Sequence, residues 1–277
     1  MAKGLDVSRP CMIMLQDTML KQGLVCSVIV IKNIEDEMKE TLIKMKPLKQ
    51  VKAWDWNVRI FHWLLLVLVI NAWVTAEFGD MEMKWHQING FAIIFLVSFR
   101  IFWGLLGSST ARFTRFIYGP GKMRAYLSAT RSGKAQKYLG HNPLGGAMVI
   151  ALLLMLATQV TTGLFSSDGM FANGPLSDRV SESMSEQFSD LHEIGFICLL
   201  VLVVFHVSAV LFYLFKHKDN LIKPMLNGYK AAAEYEDGKE MQSVSAWRTV
   251  LCVVLAAIVV YMANSGFDVS ALMDRFK

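Results

Sequence analysis

The sequence predicts an all-α protein: a polytopic membrane helical bundle with a four-helix core and a fifth, C-terminal transmembrane helix. Three observations predict it. The 277 residues are 54% hydrophobic and only 18% charged, with seven Trp and seventeen Phe, which is too apolar for a soluble domain of this length. Five apolar stretches are long enough to cross a hydrocarbon core of about 30 Å at about 1.5 Å of helical rise per residue. The loops between them alternate in charge, as they do when Lys and Arg are retained on the cytoplasmic side.

Residues 1–50 mix charges with one short apolar run, 24–31, too short to span a bilayer and followed by no small-residue cleavage site. This segment is expected to be a poorly ordered extension or an overlong start, with MKPLKQVKAWDW from Met45 as the lead into the bundle. The expected spans are 58–76, 85–106, 143–165, 191–215 and 247–263. They give a transmembrane domain over 51–228, a cytoplasmic linker over 229–246, and a fifth helix with an outer tail over 247–277.

The loop 108–142 carries Arg112, Arg115, Lys122, Arg124, Arg131, Lys134 and Lys137 with no acid, and is placed inside. The loop 166–190 holds Asp168, Asp178, Glu182, Glu186 and Asp190 against Arg179 alone, net −4, and is placed outside. The N-terminus is therefore expected inside and the C-terminus outside. A pI near 9.0 and a net charge of +5 belong to this asymmetry and not to nucleic-acid binding. Cys11, Cys26, Cys198 and Cys252 lie too far apart for a disulfide framework or zinc knot, and no CxxCH signals covalent haem.

Four of the six histidines fall inside spans, where an imidazole is costly unless it is used. His62 lies near the inner end of helix one, His86 near the outer end of helix two, and His192 near the outer end of helix four. His206 follows His192 by fourteen residues, about 21 Å along the axis and about 40° short of four full turns, so the two share a face at two depths. An outer pair, His86 with His192, and an inner pair, His62 with His206, follow. Such pairs are how a bundle holds a haem iron from both sides, and two non-covalent haems b are expected. The competing reading is four separate polar contacts between helices. A metal transporter would place more acids or thiols at this depth than Glu193 and Cys198.

Arg100 lies at the inner level of helix two and Arg59 one turn before His62; each suits a propionate of the inner haem, or snorkelling to the surface. Gly90 and Gly195, each within about a turn of an outer ligand, suit either a porphyrin edge or close helix packing.

The stretches VKAWDWNVRIFHWLL, FRIFWGLLG, YLGHNPLGGAM and LHEIGFICLLVLVVFHVSAV resemble the bacterial cytochrome b561 family, which includes the membrane cytochrome b subunits of nickel–iron hydrogenases. The resemblance runs from Val51 to Gly228. It implies a multi-pass protein of the bacterial inner membrane, with two haems b on His62, His86, His192 and His206. It also implies respiratory electron transport between membrane quinone and a partner subunit or cytochrome on the outer side. His141 and Asn142, in GHNPLGG, suit a quinone site by the inner haem; Asn142 equally suits an N-cap with Pro143 at the first helical position. His217 reads as a solvated residue beside the membrane. Two other functions stay open: a stand-alone quinone-linked enzyme acting on superoxide or a ferric chelate, and a haem-free transporter.

Overall fold

A computed structural model of the chain describes residues 50–79, 83–232 and 235–266, together with Lys32, Ile34, Glu35, Glu37 and Met38. All the spans lie within Gln50–Lys277. The expected disorder of residues 1–50, beyond those few helical positions and Gln50, and the outer tail 267–277 lie outside the described residues.

The five expected spans are five helices: α1 Trp56–Phe78, α2 Lys84–Leu106, α5 Pro143–Phe165, α6 Glu182–Lys216 and α8 Ala246–Asn264. Between α2 and α5 lie two further helices, α3 Phe113–Phe116 and α4 Pro120–Arg131. The reading that saw only a basic loop there missed them. The last, α7 Ile222–Asn227, leads into a strand, β2 Tyr229–Ala231, which pairs antiparallel with β1 Gln50–Lys52. Residues just before α1 and just after α7 are thus joined, and 229–231 are a strand and not linker.

α6 begins nine residues before its expected start, because Ser181 caps it by accepting from Met184 N–H. Hydropathy is blind to that extension, since its residues are polar. Glu182, Glu186 and Asp190 are therefore helical, and the outer loop is shorter than expected.

α2 is the hub, packing against α1, α5 and α8, and its buried residues include Ile93, Val97, Arg100 and Trp103. The start of α1 is fixed to the end of α2 through Asp55. Its Oδ1 accepts from Val58 N–H at 2.8 Å, and its Oδ2 accepts from the Trp103 indole at 3.0 Å and from the Ser108 hydroxyl. Further along the helices, Asn71 donates to Asn89 at 3.2 Å and Asn89, itself buried, donates to the Leu68 carbonyl at 2.7 Å, tying α1 to α2. Leu156 and Leu199 carry α5 and α6 onto Ile93 and Val97 of α2. Val67, Ile70, Val204 and Phe205 stay exposed, as lipid-facing side chains do.

Candidate functional site

The four span histidines meet in twos. His62 and His206 face each other with ring centroids 6.3 Å apart, and His86 and His192 at 6.1 Å. Neither pair is stacked; the interplanar angles are 52° and 82°. Two metal–nitrogen bonds of about 2 Å each, plus about 1.1 Å from each nitrogen to its ring centre, put opposed imidazoles about 6 Å apart. Among the described residues no cluster of three or more His, Cys, Asp or Glu side chains forms, so pairs are the pattern on offer.

The outer pair is oriented by backbone. His86 Nδ1 lies 2.9 Å from the Ala72 carbonyl, and His192 Nδ1 lies 3.0 Å from the Gln159 carbonyl and 3.2 Å from the Thr162 hydroxyl. A ring that spends Nδ1–H on a carbonyl presents Nε2 as its lone-pair nitrogen, the usual arrangement for a ligating histidine. Both rings line a cavity of about 440 Å³, with Gly90, Gly163, Leu156 and Phe196 among its walls. That volume is in the range of cofactor sites, which run about 300–1,000 Å³. At the inner pair the fit rests on His62 Nδ1, which is buried without a hydrogen-bond partner among the described residues.

The two glycines separate. A Cβ on Gly90 would meet nothing within 4 Å, so it borders open cavity, whereas one on Gly195 would strike Gln159 Oε1, which makes Gly195 a helix-packing position. The glycine that fixes an outer histidine is Gly163, not among the sequence candidates: a Cβ there would sit 2.9 Å from His192 Cε1. Gly163→Ala is expected to displace His192 and lower occupancy of the outer haem with the inner one retained, read from the haem spectrum of the purified protein. Equal loss of both would contradict it. Gln159 was also missed; it donates from Nε2 to the His192 carbonyl at 2.9 Å. A lone amide within an apolar span was the available signal.

Arg100 is 2% exposed, with Nη1 buried and without a hydrogen-bond partner among the described residues, and its guanidinium lies 5.3 Å from the Phe113 ring centre. Such a cation suits a carboxylate. Arg59 is engaged otherwise: it donates to the carbonyls of Leu226 and Asn227 at the end of α7 and stacks at 4.3 Å on Trp56. Asn142 caps α5, accepting from Gly145 N–H at 2.8 Å, while its amide donates to the Tyr213 hydroxyl at 3.2 Å. His141 is wedged between Trp54 and Phe116, at 4.8 and 4.9 Å between centroids. Burial, reinforced by the charges of Arg100 and Lys230, pushes its pKa down to about 3, so it is neutral. His217 is exposed and packs on Phe212 and Tyr213.

Opposed histidines within a helical membrane bundle define a class, the membrane b-type cytochromes of electron transfer. Within that class the chain belongs to the prokaryotic cytochrome b561 family, which it matches over residues 53–228. It is 20% identical over 230 residues to a probable Ni/Fe-hydrogenase B-type cytochrome subunit of Rhodobacter capsulatus, covering 70% of this chain and 87% of that one. It is 23% identical over 220 residues to a protein of the same description from Cupriavidus necator, covering 67% and 88%. The prosthetic group of such a b-type cytochrome is haem b.

Proposed function

We propose that this chain is the membrane subunit of a redox complex and carries electrons between a partner on the outer side and the quinone pool, with haem b held by His86–His192 and by His62–His206. The observation that carries this reading is the two facing histidine pairs, fourteen residues apart on α6, at separations that suit an iron between them. Bound there, haem supplies one-electron chemistry.

The chain's own residues do the rest. The carbonyls of Ala72 and Gln159 hold the outer imidazoles in one tautomer and orientation. Ile93, Val97, Leu156 and Leu199 keep water from the space between the levels. Arg100 offers its guanidinium to a propionate at the inner level, and His141 stands at the inner end of the bundle as the proton-exchanging group for a quinone. Arg59 and Asn142, engaged by α7 and by the α5 cap, shape that end. The acids Glu182, Glu186 and Asp190, at four-residue spacing on α6, present one face to a cationic partner. By the names of its relatives, that partner is a hydrogenase of the nickel–iron type.

Purified protein tests the reading: a reduced-minus-oxidised spectrum is expected to show b-type bands with about two haems per chain, and colourless protein would reject it. The membrane is the bacterial inner membrane, with the N-terminus inside and the C-terminus outside. A reporter fused after Lys134 is expected to read cytoplasm and one fused after Lys277 the outer compartment; both on one side would contradict the topology.

A further inference from the structure

We propose that Glu240 and His141, joined through a water-sized cavity that Asp237 holds in shape at the inner end of the bundle, form a proton-uptake route serving quinone chemistry beside the inner histidine pair. The route rests on the quinone reading above and adds residues that lie beyond the family-matched stretch.

Past β2 the chain folds back as a strap over the loop that ends in His141. Glu236 N–H donates to the Lys137 carbonyl at 2.9 Å, and the Asp237 carboxylate accepts from the backbone of Leu139 and, at 2.8 Å, of Gly140. Further along, Met241 N–H donates to Lys52 O at 2.9 Å and Gln242 N–H to the Ser109 hydroxyl at 2.9 Å. Between strap and loop lies a cavity of about 20 Å³, with Ser109, Thr110, Arg115, His141, Asp237 and Glu240 in its walls. A space of that size takes one water, and its walls offer the polar partners a water needs.

The two ends differ in the required way. Glu240 is exposed, so its side chain meets bulk water. His141 is held between Trp54 and Phe116, with Nδ1 sealed from solvent and without a hydrogen-bond partner among the described residues. Because both Asp237 oxygens are engaged by backbone N–H, Asp237 positions the loop and the cavity and is not itself the carrier. Arg100 and Lys230 disfavour a resting charge on the imidazole, as burial also does. His206 and His62 act in the same sense, and Asp237, Glu240 and Arg115 share the cavity wall with the ring. The ring therefore takes a proton on one nitrogen as it gives one up from the other, and does not store it.

The reaction served is quinone + 2e⁻ + 2H⁺ → quinol, or its reverse. The electrons come from the outer partner by way of the haem-binding pairs, and both protons come from water at the inner face. No further reductant is needed.

The test uses the full chain in nanodiscs, reduced anaerobically with dithionite and mixed with decylubiquinone or, separately, with ferricyanide, which takes an electron and no proton. Haem absorbance gives the rate, and the resting spectrum checks folding. His141→Gln is expected to slow oxidation by the quinone about tenfold or more, the scale of a lost proton-transfer group, and to change its dependence on D₂O. Glu240→Gln, at an exposed position that stays informative if the first variant loses haem, is expected to slow it severalfold. Neither changes the ferricyanide rate. Native quinone rates and native D₂O dependence in both variants would overturn the route. Unaltered protein that binds haem and reacts with ferricyanide but not with the quinone would sink the quinone reading and this route together. Unaltered protein without haem would instead sink the haem assignment.

Discussion

His192→Ala is expected to cut haem content from about two per chain to about one, leaving the spectrum of the inner centre in place. The side chain is one of only two imidazoles at the outer level, and no third His, Cys, Asp or Glu among the described residues joins them to replace it. His86→Ala should reproduce the loss, because the proposed outer haem would be held by both imidazoles. His206→Ala should produce the complementary loss, removing the centre shared with His62, although it sits on the same helix as His192. The measurement is a haemochrome assay together with the low-temperature difference spectrum. If His192→Ala removed the inner centre and spared the outer, the assignment of histidines to levels would be wrong.

The next largest effect is expected on stability, at Asp55. The carboxylate is buried and accepts three hydrogen bonds, from Val58 N–H, the Trp103 indole and the Ser108 hydroxyl. Asp55→Ala uncaps α1 and leaves two buried side-chain donors without a partner. An N-cap is worth about 1 kcal/mol and each orphaned buried donor about 1–3 kcal/mol, so a loss of about 3 kcal/mol or more is expected. Asp55→Asn keeps the cap acceptor but turns an amide towards two donors, and should fall between. Thermal unfolding in detergent, followed by haem release, reads the order. An Asp55→Ala protein as stable as the native one would show that these bonds are made equally well by water.

The five long helices and the pairing of the four histidines were legible in the sequence. A run of apolar residues in lipid has one way to satisfy its backbone, so the bounds of α2 and α5 fall within a residue of expectation. The start of α6 was not legible, because a polar extension carries no hydropathy signal and only the Ser181 cap marks it. Helices α3 and α4, which the charge count treated as loop, were missed for the same reason.

At the candidate site the sequence determined residue types and levels: four imidazoles, two cations and the GHNPLGG turn, each at a depth fixed by helical rise. Which atoms those side chains touch was decided by the tertiary structure. Arg59 and Arg100 looked alike as inner-level cations, yet the end of α7 comes back over 160 residues of chain to take both Nη atoms of Arg59, leaving only its Nε, while Arg100 Nη1 is buried without a hydrogen-bond partner among the described residues. Gly195 and Gly90 looked alike as small residues, yet only Gly90 borders open cavity, and Gly163 emerged as the residue against His192. The strap over His141 was invisible, since Asp237 and Glu240 read as ordinary charges in a linker. Periodicity and depth are properties of one helix and its solvent, so a sequence carries them. Contacts between distant segments depend on how helices rotate and return, and only packing fixes that.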